Sequence, residues 1–176
     1  AISNWGNVPF SEDYTDTSYP QQKTRKEVYD TIEKELLDNV SLLDAAPSST
    51  NYGRITQAAA YCILAKMYMN SQVWFGTDRF AEAAAVCKKI MDSGNYSIEN
   101  DYETNFNIDN ENSKENIFVI LYDRVNTSGD ATSFYLHTLT LEPASQATFN
   151  IPAAPWSGFL CEPDFFQTYD AKDIRK

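Results

Sequence analysis

Residues 56–94 read TQAAAYCILAKMYMNSQVWFGTDRFAEAAAVCKKIMDSG, and this stretch decides the fold. The hydroxyl of Thr56 can accept from the free N–H groups of a first helical turn, so a helix is expected to start there. Ala58, Cys62, Ala65 and Met69 then recur at steps of four, three and four, which places them on one helical face. Alanine propagates helix well and lets a neighbouring helix approach closely. The segment from Asn70 to Thr77 interrupts the run, and a further helix is expected from Thr77 or Asp78. Its inward face reads as Phe80, Ala84, Cys87 and Met91, and Gly94 suits the left-handed position that ends a helix. Two such helices joined by a short loop form an antiparallel hairpin. Cys62 lies eight residues before the loop and Cys87 ten after it, so the pair is expected to face across the hairpin as buried free thiols.

Upstream, Thr24 stands three residues before Glu27, the reciprocal capping arrangement that satisfies two orphan donors, so an earlier helix begins there. Val28, Ile32, Leu36, Val40 and Leu43 share its inner face, and Pro47 closes it. Residues 1–23 hold prolines and a polar run with no apolar period, and read as an extended surface segment. Residues 24–98 form the helical region. Residues 99–176 read as polar loop followed by irregular structure with short strands, in which ENIFVILYD (115–123) is too short to assign by period and suits a strand or a short buried helix. The fold class is mainly α, with helix pairs and a loop-rich region, and loops on a helical scaffold usually carry function.

The 176 residues carry 25 Asp and Glu against 14 Lys and Arg, a formal charge of -11. Phosphate tracking would meet repulsion at every backbone contact, which excludes nucleic acid as a natural partner. With 43% hydrophobic residues the chain has enough apolar surface to fold. No apolar run approaches the roughly 20 residues that a bilayer requires, so no transmembrane segment is expected. Cys62, Cys87 and Cys161 are too scattered for a disulfide scaffold or a zinc site.

The hairpin, with Ala60, Leu64, Ala65 and Tyr68 on one helix and Phe80-Ala81-Glu82-Ala83 opening the next, looks like a tetratricopeptide unit. Six blocks in order extend the likeness: GNVPF (6–10), TRKEVYDTIEKEL (24–36), GRITQAAAYCILAKMYM (53–69), FAEAAAVCKKIMDSGNYSI (80–98), SKENIFVILYD (113–123) and WSGFLCEPDFFQTYDAKDIR (156–175). Together they resemble the SusD/RagB family of bacterial outer-membrane glycan-binding lipoproteins. The resemblance implies tetratricopeptide-like helix pairs under an irregular region that holds the ligand. It also implies oligosaccharide or polysaccharide as ligand, and as partner a SusC-like TonB-dependent outer-membrane transporter capped by the lipoprotein. The implied location is the cell surface, with lipid anchoring through an N-terminal region absent from this chain. Family members are several times longer and begin with a lipidated cysteine, so the chain is read as an internal segment. Glu115 is followed by Asn116 where the family block usually reads E-I-I-F.

Tryptophan suits sugar because its flat apolar face covers the C–H face of a pyranose while nearby amides and carboxylates bind hydroxyls. Trp156, in PAAPWSGF, is the leading candidate, because the family block that it matches lies close to the ligand region. Phe134, Tyr135 and His137, in FYLHTLTL, are further glycan-binding candidates. Trp74 reads as core packing and Trp5 as a structural anchor beside the GNVPF turn. Asp173 and Arg175 match a family motif and read as an ion pair or a cap. The Asn105-Asn107-Asp109 alternation lacks the Gly and Glu of a calcium loop, with Asn110 and Asn116 in their places, and reads as a solvated turn; no metal or other cofactor is expected. No GxSxG, P-loop, GxGxxG or HExxH occurs. Glycoside hydrolysis needs two carboxylates held across a cleft, and though Glu142, Glu162 and Asp164 sit in the aromatic-rich third, carboxylates are common in any acidic chain. The expectation is a glycan-binding protein without enzyme activity. The alternative is a tetratricopeptide-like protein-interaction scaffold without sugar binding.

Overall fold

The computed structural model describes residues 1–173 other than 14, 108, 123–138 and 152. The chain divides into two compact units, Ala1–Ile120 and Leu121–Lys176. In the first, α1 (Ile2–Trp5) is a single turn ended by Gly6 at φ 70. Strands β1 (Val8–Pro9) and β2 (Gln22–Lys23) pair antiparallel, with Val8 opposite Lys23. Helices α2 (Arg25–Asn39), α3 (Gln57–Phe75) and α4 (Phe80–Asp92) follow. The second unit contains α5 (Pro163–Gln167) amid irregular structure. The architecture is mainly α, as the sequence suggests. Among the described residues the paired strands lie near the N-terminus rather than in the last third.

Helix α2 starts where the capping signal puts it. The Thr24 hydroxyl accepts from the Glu27 N–H at 3.2 Å, and a Glu27 carboxylate oxygen accepts from the Thr24 N–H at 2.7 Å. The Thr24 hydroxyl also donates to that carboxylate at 2.7 Å, and this bond first, then the Thr24 N–H, holds the Glu27 carboxyl below the usual carboxylate range. Val28 is buried and Ile32 and Leu36 pack against the core, while Tyr29 joins them as one of the largest fully buried side chains. The core cluster adds Ile2, Leu64, Met67, Tyr68, Ala83 and Val86.

Several expectations are corrected. Residues 1–23 are not wholly extended and superficial, because Ile2 is buried in a helical turn. The Arg25 N–H donates to Asn7 Oδ1 at 2.8 Å, which ties this segment to the start of α2. Trp5 is 73% exposed, so Ile2 and not Trp5 is the anchor. Thr56 does precede α3, yet its hydroxyl makes no capping bond and lies 3.4 Å from the Tyr96 hydroxyl. Helix α4 begins at Phe80, whose N–H is held by Asp78 Oδ1 at 2.9 Å. Its inward residues are Ala83 and Val86, while Phe80, Ala84, Cys87 and Met91 face outward. Cys62 is half-buried and Cys87 exposed, and both are free thiols. Residues 116–122 form neither strand nor helix, and Ile120 is 72% exposed.

Trp74 packs as expected. Its ring meets Tyr29 edge-on at 6.4 Å and Phe75 at 6.1 Å, and the Arg25 guanidinium lies 5.3 Å from its centroid. Gly94, at φ 66, follows α4 in the left-handed position, and Gly76, at φ 70, ends α3 in the same way.

Candidate functional site around Trp156

The segment that carries Trp156 is held by its backbone. Pro155 is buried, and Trp156, the next residue, leaves 60% of its surface exposed. Ser157 adopts φ 52, a left-handed conformation that serine rarely takes without compensation. The compensation is an antiparallel pair of bonds to residues 139–141. The Ser157 N–H donates to the Leu141 carbonyl at 3.1 Å and the Phe159 N–H to the Leu139 carbonyl at 2.8 Å. Between them, Gly158 lets Leu139 come close: a Cβ there would lie 3.0 Å from Leu139 Cδ2 and 3.4 Å from its carbonyl oxygen. A side chain at 158 would need the Leu139 side chain to give way, so glycine keeps the approach of the two segments close.

The loop preceding this segment is braced in the same manner. Residues Pro143–Ser145 form a 3-10 turn, and Gln146 brackets Ile151. The Ile151 N–H donates to the Gln146 carbonyl and the Gln146 side-chain amide donates to the Ile151 carbonyl, each at 3.1 Å. Phe149 and Phe159 are exposed by 59% and 60%, giving this unit further aromatic surface. Its described charges are mostly carboxylates, Glu142, Glu162, Asp164, Asp170 and Asp173 against Lys172. Such a surface favours a neutral ligand over an anion.

Phe134, Tyr135 and His137 lie outside the described residues, as does Arg175. Of the sequence-derived site candidates, Trp156 is therefore the one whose surroundings are described. The left-handed serine and the close approach at Gly158 have no signature in composition or periodicity; the dipeptide Ser157-Gly158 is the sole local hint. The Asx-rich turn is more structured than the sequence suggests. The Asn105 side-chain amide donates to Glu115 at 2.9 Å, and the Ser113 hydroxyl donates to Asn105 Oδ1 at 2.5 Å. Among the described residues no group of three His, Cys, Asp or Glu side chains is arranged to hold a metal ion, and no helix is long and apolar enough to cross a membrane.

Comparison with known proteins adds to this picture. A SusD-like family model, described as starch-binding associating with outer membrane, matches residues 2–69. The starch-binding protein SusD of Bacteroides thetaiotaomicron is 29% identical over 136 residues, which is 75% of this chain and 24% of SusD. Surface glycan-binding protein A from Bacteroides uniformis superposes with a TM-score of 0.57 at 28% identity, over 69% of this chain and 27% of that one. A SusD-like protein from Bacteroides fragilis gives 0.57 at 22% identity, over 72% and 25% of the two chains, and that likeness speaks for the fold alone. The chain spans about a quarter of the length of each of these relatives. Family model, curated relative and solved folds point the same way as the six ordered sequence blocks: this chain is similar to SusD-like proteins.

Proposed function

We propose that this chain contributes a glycan-binding surface to a protein that captures oligosaccharide outside the cell and delivers it to a SusC-like TonB-dependent outer-membrane transporter. The observation that carries the reading is Trp156, 60% exposed and set between a buried proline and a left-handed serine. An exposed aromatic face on a braced backbone is what stacking on a sugar ring requires, because little ordering cost is left for the moment of binding. The relatives' own ligands, starch and surface glycan, support the same class of ligand. The role is binding, without chemistry on the sugar. Surface exposure and lipid anchoring at the outer membrane belong to the same proposal.

Calorimetric titration with neutral oligosaccharides tests it. Stacking on one aromatic face is worth roughly 0.5–1.5 kcal/mol beyond area burial, so Trp156→Ala should weaken binding about two- to tenfold. The melting temperature should stay within a few degrees. Unchanged affinity in the variant would remove Trp156 from the site, and release of reducing sugar by the wild-type chain would overturn the non-enzymatic reading.

The outward face of the hairpin, where Val73 is 84% and Met91 76% exposed, favours the protein-interaction scaffold as a second reading. A chain that binds no sugar yet retains a peptide partner after Trp156→Ala would establish it.

A further inference from the structure

The helical unit contains two cavities that share a wall. One, of about 510 Å³, opens between loop 47–56 and segment 111–119, with Tyr52, Tyr96 and Phe118 in its lining. The other, of about 410 Å³, is lined in part by Tyr102, Phe106 and Glu115. Asn116, Ile117 and Phe118 belong to both. The two adjoin along residues 116–118 and both are lined by aromatic rings, and the larger is a cleft between two loops. Phe118, 48% exposed, lines both, and in the smaller one the Tyr102 and Phe106 ring centroids lie 4.9 Å apart.

The walls are fixed by hydrogen bonds rather than by chance packing. Asn51 is buried and holds loop 47–56 by donating to Asp44 Oδ2 and the Ala46 carbonyl, each at 3.0 Å, while accepting from the Ser48 N–H at 2.7 Å. The opposite wall is tied by the Lys114 N–H donating to Glu99 Oε1 at 2.6 Å and by Glu115 accepting from both the Asn105 amide and the Glu99 N–H. Those bonds, the Asn105 amide first, hold the Glu115 carboxyl below the usual carboxylate range.

Aromatic faces in the company of amides and hydroxyls suit a ligand with apolar C–H faces and a hydroxyl edge. Asn95, Asn112, Asn116, Ser48 and Ser113 supply the polar groups. Charge does not single out an ion here, because Arg54 and Lys114 face Glu111 in the larger cavity and Glu115 lines the adjoining one. We propose that this cleft is a second saccharide site, in the unit that does not carry Trp156, taking two or more consecutive units of a neutral oligosaccharide. The proposal rests on the glycan-binding reading and extends it to a different set of residues.

Amide chemical-shift mapping of the 176-residue chain with neutral hexasaccharides of glucose and mannose, and with a carboxylated galacturonate hexasaccharide, tests it. At least one neutral probe should shift Tyr52, Asn112 and Asn116, and the shifts should persist in Trp156→Ala. Asn112→Trp, which blocks the cleft from an exposed rim position, and Tyr52→Ala should each weaken binding there by roughly two- to tenfold or more. The cleft is not a saccharide site if no neutral probe shifts these residues, or if their shifts vanish in Trp156→Ala. Tighter binding of the galacturonate probe than of every neutral one overturns the neutral class. Cleft shifts in a chain whose binding is indifferent to Trp156→Ala would uphold the cleft and sink the Trp156 assignment alone.

Discussion

Arg79 ties three helices together through one side chain. Its guanidinium meets both carboxylate oxygens of Glu33 on α2 at 2.7 Å, and its Nε donates to Glu82 on α4 at 3.0 Å. The same group lies 4.2 Å from the centroid of the Tyr68 ring on α3. The bond to Glu33, first among these, raises the Arg79 pKa above its already high ordinary value, so the charge is permanent. Arg79 and Glu33 side chains are only 23% and 16% exposed, so removing one partner strands the other in a poorly solvated place. Arg79→Ala should destabilise by about 1.5–3 kcal/mol, read as a lower denaturant midpoint. Arg79→Lys should recover only part of that loss, because an ammonium does not reproduce the two-pronged contact. Tyr68 gives a pH signature at the same place. Burial, then its hydrogen bond to Glu33, pushes its pKa from 10.0 up to about 12. The folded state therefore holds this proton more tightly than the unfolded chain does. The stability involved is intact below pH 10.0 and is lost as pH rises towards about 12. Tyr68→Phe should flatten the decline of unfolding midpoint across that alkaline window; an unchanged slope would refute the linkage.

At the scale of elements, the pairing of α3 and α4 rests on small residues. Ala60 and Leu64 are fully buried, and Ala83 and Val86 nearly so. Ala83→Leu should cost about 1–3 kcal/mol through overpacking. Ala84→Leu, one position along on the exposed face, should stay within about 0.5 kcal/mol of the parent. Equal melting temperatures for the two variants would contradict the observed helix rotation. The thiols report the same rotation. Burial, followed by the nearby Cys87, raises the Cys62 pKa, whereas Cys87 and Cys161 are exposed. A native-state thiol reagent should modify Cys87 and Cys161 quickly and Cys62 slowly. The antiparallel contact between 139–141 and 157–159 depends likewise on one small residue. Gly158→Val should loosen the bonds at Ser157 and Phe159 and weaken glycan binding without touching Trp156 itself.

For the molecule as a whole, charge limits what can approach. With a formal charge of -11, a polyanionic glycan meets long-range repulsion that is screened over about 10 Å at 0.1 M salt. Any residual binding of oligogalacturonate should therefore strengthen as salt is added, while binding of neutral oligosaccharide should be indifferent to salt. Titrations at two ionic strengths check this directly. Opposite behaviour would mean that a local basic cluster dominates the ligand surface.

The sequence by itself determined the features that are settled within one or two helical turns. The Thr24–Glu27 cap, the α2 face from Val28 to Leu36, the alanine-rich hairpin and the glycine after α4 depend on neighbours three or four residues away, and such neighbours are written in the chain. The six ordered blocks carried the family in the same way, as local patterns in a fixed order. Only the tertiary structure decided which face of the hairpin is inside. Helix α3 is apolar nearly all round, so periodicity alone does not name its inner face, and on α4 the buried residues are Ala83 and Val86 rather than the stripe from Phe80 to Met91. It also decided that the Thr56 hydroxyl sits by Tyr96 instead of capping α3, a contact 40 residues away in sequence. The presentation of Trp156 is of this kind too. The left-handed backbone at Ser157 is held by carbonyls 16 and 18 residues earlier, and no local propensity encodes partners at that distance.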